Sequence, residues 1–252
     1  MSARREIRTF FTAVMFLTRL PVPRSVDHSP EYLNRAPRYY PLVGLVVGSI
    51  CAGVYWLAAL AFPPSPAILL SILAGLRVTG AFHEDGWADV CDGFGGGWTK
   101  EKILSIMKDS RLGTFGVAGL VGMLAMKFLL LQSLQPQTTA NFLLLIVAGH
   151  GLSRLAAISI MPFFDYVRAK DAGRRSWQAA DWLPAMVAPA IPLIFLPAKF
   201  LPAIIPMALA TWLMGRYFQK WIGGYTGDCL GAIQQVTEVV FYAGAYLLWQ
   251  YF

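Results

Sequence analysis

The sequence predicts an all-helical fold, a polytopic integral membrane bundle of about seven spanning helices. Hydrophobic residues make up 56% of the chain and charged residues only 14%. A typical soluble domain has about 25% charged residues. The hydrophobic residues form long runs that short polar loops separate. Because neither a long linker nor a low-complexity tract interrupts this pattern, we predict a single integral membrane domain covering residues 1–252.

The N-terminal segment, residues 1–40, is predicted to lie on the cytoplasmic side or at the membrane interface. Arg4, Arg5 and Arg8 precede an apolar stretch, as in a signal peptide. However, a proline-rich turn at 21–23 follows, without a small-residue cleavage site. We therefore interpret the stretch as an amphipathic helix that stays on the protein.

Seven apolar runs follow this segment, and each is a candidate span. Their limits are 41–62, 67–82, 113–134, 141–161, 183–197, 201–215 and 236–252. Several runs are shorter than the ~20 residues that a span usually needs. Prolines interrupt the fifth and sixth runs, which predict either two kinked spans or one re-entrant pair.

The basic residues indicate the orientation of the bundle. Most Lys and Arg lie in the N-terminal segment and in loops that fall on one side of a seven-span arrangement, namely 84–112, 162–182 and the loop after 215. The positive-inside rule makes this side cytoplasmic, in a bacterial or archaeal cytoplasmic (inner) membrane. Since topology accounts for the net charge of +7, we predict a lipid bilayer and no nucleic acid as partner. The sequence leaves open whether the protein forms a homo-oligomer.

A dense group of carboxylates follows the second apolar run. Residues 84–92 hold four of the 14 acidic residues, and Asp85, Asp89 and Asp92 have the spacing i, i+4 and i+7. On a helix these three share an arc of about 60°, where like charges repel unless a cation binds them. Oxygen ligands without a His or Cys cluster predict Mg²⁺, with Mn²⁺ as an alternative. We interpret His83, directly before this group, as a positioning residue.

A second polar segment, residues 223–238, leads into the last apolar run. On a helix, Asp228, Gln235 and Glu238 form a one-sided polar stripe. Glu238 would lie about 15 Å from Asp228 along the helix axis, inside the membrane. A carboxylate there is a functional candidate, and a structural ion pair with a buried Arg is the alternative.

Basic side chains near these carboxylates suit a phosphorylated substrate. Lys108 and Arg111 flank Asp109 in loop 83–112, and cations beside carboxylates can bind a phosphoryl group that a metal bridges. Arg154 lies near the cytoplasmic end of an apolar run, from which it could snorkel to the interface, reach a phosphate or pair with Glu238. Together these patterns predict a membrane-bound, divalent-metal phosphotransferase with a cytoplasmic active site.

Three long motifs occur in order along the chain. They are H-x-D-G-x-A-D-x-x-D-G at 83–93, I-M-K-D-S-R-L-G-T-F-G at 106–116 and G-x-T-G-D-x-x-G-A at 224–232. Together with F-L-T-R-L-P-V-P at 16–23, they closely resemble the cobalamin synthase family, the adenosylcobinamide-GDP ribazoletransferases. The resemblance covers nearly the whole chain.

The resemblance implies a reaction and a site. Adenosylcobinamide-GDP and α-ribazole, or its 5′-phosphate, would give adenosylcobalamin, or its 5′-phosphate, and GMP, with Mg²⁺ on the pyrophosphate. The implied catalytic candidates are His83, Asp85, Asp89 and Asp92. The candidate metal ligands are Glu84, Asp85, Asp89, Asp92, Asp109, Asp228 and Glu238. The candidate contacts to substrate and phosphate are Lys108, Arg111, Arg154, Thr226 and Gly227.

Two other functions are weighed against this one. The D-x-x-D-G at 89–93 matches the start of the CDP-alcohol phosphotransferase motif. The A-R and the later G-x-x-x-D-x-x-x-D of that motif are absent here, which counts against a lipid head group as substrate. A cation transporter would also carry intramembrane carboxylates, but near the bilayer midplane rather than beside a cytoplasmic loop.

Overall fold

The computed structural model describes residues 3–26, 29–135, 137–168 and 179–251. All regular elements in these residues are helices, apart from one isolated parallel bridge between Tyr166 and Tyr225. The α-helices, in chain order, are α1 (Ala3–Leu17), α2 (Pro30–Arg35), α3 (Tyr40–Ala58), α4 (Pro64–Thr79), α5 (Phe82–Gly96), α6 (Lys100–Ile106), α7 (Thr114–Leu134), α8 (Thr139–Ser159), α9 (Ala179–Phe195), α10 (Ile204–Ile222) and α11 (Gly227–Tyr251). The predicted all-helical fold is confirmed.

Several of these helices have the length and composition of membrane spans. Within the described residues, four helical stretches are long and apolar enough: Pro30–Ala58, Thr114–Leu134, Thr139–Ser159 and Ala198–Ile222. Helices α4 and α5 meet the same criteria only as a pair, which raises the number to five. The apolar helices indicate a membrane protein, whereas the seven-span arrangement stays a prediction. Helix α9 is shorter, and α11 carries Gln234, Gln235 and Glu238 in its N-terminal half.

The chain turns sharply between α4 and α5. The two helices are bent by 88° relative to each other. Gly80 and Ala81, with φ of 66° and 57°, have left-handed backbones that end α4 and begin α5. A Cβ at Gly80 would lie 2.6 Å from Arg19 Nε, so both conformation and space favour glycine there. The acidic helix α5 therefore leaves the line of the apolar helix α4.

A buried arginine joins the N-terminal helix to the bundle. Arg38 is 4% exposed; its Nη2 lies 3.0 Å from Glu6 Oε2 on α1, and its Nη1 lies 3.1 Å from Asp181 Oδ1 on α9. Such partners are needed because an uncompensated buried charge is strongly destabilising. The helix predicted in the N-terminal segment is thus present as α1. In the basic loop 162–182, residues 169–178 lie outside the described residues.

Small residues bring α3 and α8 close together in the core. A Cβ at Gly44 would collide with the carbonyl oxygen of His150, and one at Gly48 would lie 2.9 Å from Val147 Cα. In membranes, small residues let helix backbones approach and increase van der Waals contact between them. The contact of α3 with α8 is therefore a main packing interface of the bundle.

The variant Gly44→Ala should weaken this interface because its methyl group would strike the α8 backbone. We expect the free energy of unfolding to fall by about 1–3 kcal/mol, measured by thermal denaturation in detergent. Gly53→Ala on the same helix is the matched control, since a Cβ at Gly53 meets no atom within 4 Å. Equal stability of the two variants would contradict the tight packing.

Candidate active site

The acidic stripe lies on one helix, as predicted, and its three members differ in burial. Asp85 is exposed, Asp89 is half-buried and Asp92 is buried, so the stripe runs from the surface inward along α5. Asp85 lies in the first turn of α5, where the helix dipole favours a negative charge. The members therefore have different environments and can have different roles.

Asp92 caps helix α7. Its Oδ2 accepts a hydrogen bond from Gly113 N at 2.7 Å, and its Oδ1 accepts one from Gly116 N at 2.8 Å. These amides lie at the N-terminus of α7, where free N–H groups and the helix dipole both favour a carboxylate. Each oxygen keeps a second lone pair, so the roles of Asp92 in catalysis and metal binding stay predictions.

Glycines let α5 and α11 pack backbone to backbone. A Cβ at Gly86 would lie 3.0 Å from Asp228 Cα, and one at Gly231 would lie 3.1 Å from the carbonyl oxygen of His83. This approach brings Asp228 into electrostatic contact with both Asp85 and Asp89. Carboxylates from the two predicted motifs thus meet at the α5–α11 contact.

An arginine that the sequence analysis did not select lies at this contact. Arg168 Nη2 is 2.7 Å from Asp228 Oδ2 and donates to the Met107 carbonyl oxygen at 3.2 Å. Arg168 also interacts electrostatically with Asp89. In the sequence Arg168 was one of several cations in a basic loop. Backbone pairing of Tyr166 with Tyr225 brings that loop beside the start of α11.

The start of α11 is fixed by Thr226. Its Oγ1 accepts a hydrogen bond from Cys229 N at 3.3 Å and lies 3.4 Å from Asp228 Oδ2. Thr226 is fully buried, whereas a Cβ at Gly227 would meet open space. Thr226 therefore orients Asp228, and Gly227 leaves room beside it. Their contacts with substrate stay predictions.

The carboxylates do not form a ready-made metal cage. No three His, Cys, Asp or Glu side chains converge on one point in the described parts of the chain. The candidate donors Asp85, Asp89 and Asp228 nevertheless all offer carboxylate oxygens, and two of them, Asp89 and Asp228, interact with one cation, Arg168. Mg²⁺ is commonly held by one or two carboxylates, with substrate phosphates and water completing its ligands. This donor set fits a metal that binds together with a pyrophosphate.

The predicted basic contacts Lys108 and Arg111 lie in the exposed loop between α6 and α7. Arg111 Nη2 is 2.6 Å from Asp109 Oδ2, and Arg111 Nε is 3.1 Å from Asp109 Oδ1. These side-chain hydrogen bonds, joined by one from the Arg111 backbone, lower the pKa of Asp109 to about 2. Arg111 is therefore already held by a carboxylate, and Lys108 is exposed to solvent.

The remaining predicted site residues line a separate buried cavity. Glu84, Glu238, Arg154 and His83 lie there, while Asp85, Asp89, Asp92 and Asp228 do not. Glu238 Oε1 is 3.3 Å from Lys127 Nζ, so the ion pair considered for it exists, with Lys127 rather than an Arg. The structure thus does not join Glu84 and Glu238 to the α5 stripe. Their assignment as metal ligands stays a prediction, as does that of Arg154 as a phosphate contact.

A family model described as cobalamin-5-phosphate synthase matches residues 9–246. The chain belongs to this family. Three relatives named adenosylcobinamide-GDP ribazoletransferase illustrate the similarity. The one from Shewanella frigidimarina is 46% identical and the alignment covers 94% of each chain. The one from Ralstonia pickettii is 45% identical over 95% of this chain and 96% of the relative, and the one from Vibrio parahaemolyticus is 40% identical over 95% and 92%. No solved structure matches the chain.

Removing the Asp92 carboxylate should destabilise this cobalamin-5-phosphate synthase family member. Asp92→Ala leaves the amides of Gly113 and Gly116 without their acceptor. We expect a loss of about 3 kcal/mol or more in the free energy of unfolding, since two charge-assisted bonds are lost and each contributes roughly 1.5–3 kcal/mol. Thermal denaturation in detergent measures it. Asp85→Ala is the control, because Asp85 is exposed on the same helix and its removal should cost less than about 1 kcal/mol, the usual effect of an exposed charge at a helix terminus. A stable Asp92→Ala variant would contradict the capping role.

Proposed function

We propose that the protein transfers the adenosylcobinamide-phosphate moiety of adenosylcobinamide-GDP to α-ribazole or α-ribazole 5′-phosphate. The products are adenosylcobalamin, or its 5′-phosphate, and GMP. The observation that carries this proposal is the match of the cobalamin-5-phosphate synthase family over residues 9–246. The name shared by the relatives supports the substrate, and they align with over 90% of this chain.

The chemistry is a displacement at phosphorus. The 3′-hydroxyl of the ribazole attacks the phosphorus that bears the aminopropanol arm, and the bond from this phosphorus to the bridging oxygen breaks. GMP leaves with the bridging oxygen and the electron pair. The hydroxyl proton passes to a carboxylate, and Asp85 or Asp89 is suited to this role because neither is engaged in a cap.

Asp85, Asp89 and Asp228 would hold Mg²⁺, or Mn²⁺ in its place, together with the pyrophosphate. When bound, the cation would neutralise charge on the pyrophosphate and on the leaving GMP. Their all-oxygen chemistry and their proximity around the α5–α11 contact support this assignment. Asp92 would hold α7 against the same site through its two backbone hydrogen bonds.

Arg168 is our candidate for a direct contact with the donor. Its guanidinium now pairs with Asp228. The pyrophosphate of the donor can accept two parallel hydrogen bonds from the Arg168 guanidinium, and bidentate Arg–phosphate pairs are strong. Exchange of Asp228 for a phosphate oxygen would free the carboxylate for the metal as the donor binds. Lys108 and Arg111 remain proposed phosphate contacts in the loop before α7, and Arg111 would have to exchange Asp109 for a phosphate oxygen.

We further propose that the site faces the cytoplasm of a bacterial or archaeal cell and that the N-terminus lies on the same side. The basic loops support this orientation through the positive-inside rule. The seven-span arrangement would follow if α9 and α11 cross the membrane together with the five candidate spans of the structure. A water-soluble donor would then reach the acidic helix from the compartment where nucleotides are made.

Turnover of purified protein tests the function. The protein in nanodiscs is supplied with adenosylcobinamide-GDP, α-ribazole 5′-phosphate and Mg²⁺, and cobamide and GMP are followed with and without EDTA. We expect both products in equal amounts and none with EDTA. Folded protein that forms neither product would overturn the proposal, and CDP-activated donors would then test a lipid head-group transferase.

The variant Asp89→Asn should abolish turnover while the protein remains inserted and folded. We expect a fall in kcat of about 100-fold or more, because the variant loses a metal-binding or proton-accepting carboxylate. The matched control is Glu101→Gln, which removes an exposed carboxylate from α6 and should retain full activity. Activity like that of the wild type in Asp89→Asn would remove this residue from the mechanism.

Loss of the Arg168 guanidinium should weaken donor binding. For Arg168→Gln we expect the KM for adenosylcobinamide-GDP to rise about 10-fold, the effect of one lost charge-assisted contact. For Arg168→Lys we expect a KM between those of the wild type and Arg168→Gln, because an ammonium keeps the charge but cannot make the bidentate contact of a guanidinium. Lys102→Gln, in exposed α6, controls for general loss of positive charge. An unchanged KM in both Arg168 variants would exclude the contact.

A further inference from the structure

A connected group of buried polar side chains lies between α5, α7, α8 and α11, which we call the inner network. Its members are Glu84, Lys127, His150, Ser153, Arg154, Gln234, Gln235, Glu238 and Tyr242. Four of them are Glu, Lys or Arg side chains that are at most 7% exposed: Glu84, Lys127, Arg154 and Glu238. Charges buried among apolar helices are costly and mark functional sites. Packing alone does not explain them.

Gln235 is the junction of the inner network. Its Nε2 donates to Glu84 Oε1 at 2.9 Å, and its Oε1 accepts from Lys127 Nζ at 3.1 Å. An ammonium only donates and a carboxylate only accepts, so the orientation of this amide is determined by its partners. Lys127 also pairs with Glu238. One continuous path therefore connects α7 and α11 to Glu84 on α5.

The charges of the inner network balance. Glu84 and Glu238 supply two negative charges, and Lys127 and Arg154 supply two positive ones. The cavity that they line has a volume of about 20 Å³. This is room for one water molecule, and the charge balance disfavours a further ion. Glu84 Oε2 and Arg154 Nε are buried and have no hydrogen-bond partner among the residues that the structure describes, and both residues line this cavity. A water there would therefore have an acceptor and a donor available.

The inner network influences the acidic site by fixing the orientation of α5 about its own axis. Glu84 is buried, while its neighbour Asp85 is exposed and Asp89 follows one turn later. Successive residues of a helix point about 100° apart, so holding the Glu84 side chain fixes the direction of the other two. Gly86 keeps the same turn of α5 against α11. Rotation of α5 would therefore move Asp85 and Asp89 relative to Asp228.

We propose that Glu84 is a positioning residue, held by Gln235 and the Lys127–Glu238 pair, that sets how Asp85 and Asp89 face Asp228. This inference rests on the proposed function of the acidic site. It assigns Glu84 a role distinct from that of a metal ligand. When Glu84 is no longer held, kcat should fall and metal binding should weaken. At saturating Mg²⁺ the KM for adenosylcobinamide-GDP should stay within about twofold, because the proposed phosphate contact Arg168 lies on another segment.

A suppressor experiment separates positioning from direct ligation. Gln235→Glu sets two carboxylates against each other and should lower kcat by about 10-fold or more. Adding Glu84→Gln to it restores a hydrogen bond between the two positions, with donor and acceptor exchanged and the total charge kept. We expect the double variant to recover to within about threefold of the wild-type kcat. A double variant as inactive as Gln235→Glu would overturn the proposal, since a metal ligand at Glu84 cannot be restored in this way.

Two further variants keep the test decisive. If Gln235→Glu does not fold, Gln235→Met removes the amide at similar volume and should show the same loss of kcat. Ser71→Ala is the control, because Ser71 lines the same cavity but donates to Cys51 O at 2.8 Å, away from α5. It should retain the wild-type kcat. Full activity of both Gln235 variants would also overturn the proposal.

Binding of Mn²⁺, followed by electron paramagnetic resonance, provides a readout independent of turnover. We expect about 10-fold weaker binding in Gln235→Glu and recovery in the double variant, in parallel with kcat. If the wild type makes no cobamide but Mn²⁺ binding follows this pattern, the positioning role holds and the proposed function fails. Mn²⁺ binding unchanged in Gln235→Glu and Gln235→Met would overturn the positioning role whatever the wild type does.

Discussion

The close backbone contact of α5 with α11 is the constraint on which the rest of the site depends. Gly86 and Gly231 face the opposite helix at distances that exclude even a methyl group without displacement. Because the two backbones touch, carboxylates far apart in the chain, Asp89 and Asp228, act on each other electrostatically. The same contact lets Gln235 on α11 donate a hydrogen bond to Glu84 on α5. If the two helices separated, Asp228 would move away from Asp89, and the hydrogen bond between Gln235 and Glu84 would break.

Deeply buried charges are paired with opposite charges, whereas the less buried carboxylates at the α5–α11 contact are not balanced. Deep charges are matched by opposite partners, as with Arg38 between Glu6 and Asp181, and Lys127 beside Glu238. Such pairing is required because an isolated charge in the interior is prohibitively costly. At the α5–α11 contact, in contrast, carboxylates outnumber the nearby cation. This local excess of negative charge is a physical reason to propose a divalent metal there, and that metal would in turn attract a phosphorylated substrate.

Periodicity and composition were enough to predict the helices and the acidic stripe from the sequence. The apolar runs correspond to α3, α4 and α7–α11, and Asp85, Asp89 and Asp92 do lie on one helix. The number of spans was harder to predict, since the buried side chains Gln234, Gln235 and Glu238 lower the hydropathy of α11. Hydropathy counts polar residues as exposed, whereas here they face other polar groups inside the bundle.

The partners of the site residues could not be predicted, because they depend on contacts between distant segments. Nothing near Asp92 in the sequence indicates that it caps a helix beginning at Thr114. Arg168 reaches Asp228 only after the loop behind α8 pairs with Tyr225. Lys127 lies inside an apolar run, and only the structure shows that Glu238 is beside it. The sequence indicated which kinds of side chain form the site, but which residues pair with one another could be seen only in the structure.

The most direct test of the central claim is where the divalent cation binds. Mn²⁺ is added to the protein with adenosylcobinamide-GDP but no ribazole, and ³¹P electron–nuclear double resonance detects phosphorus atoms close to the metal. The account predicts a ³¹P coupling from the donor that disappears when Asp85 and Asp89 are both changed to Asn, and that survives Glu101→Gln. A coupling that persists without these two carboxylates would contradict the placement of the active site on α5.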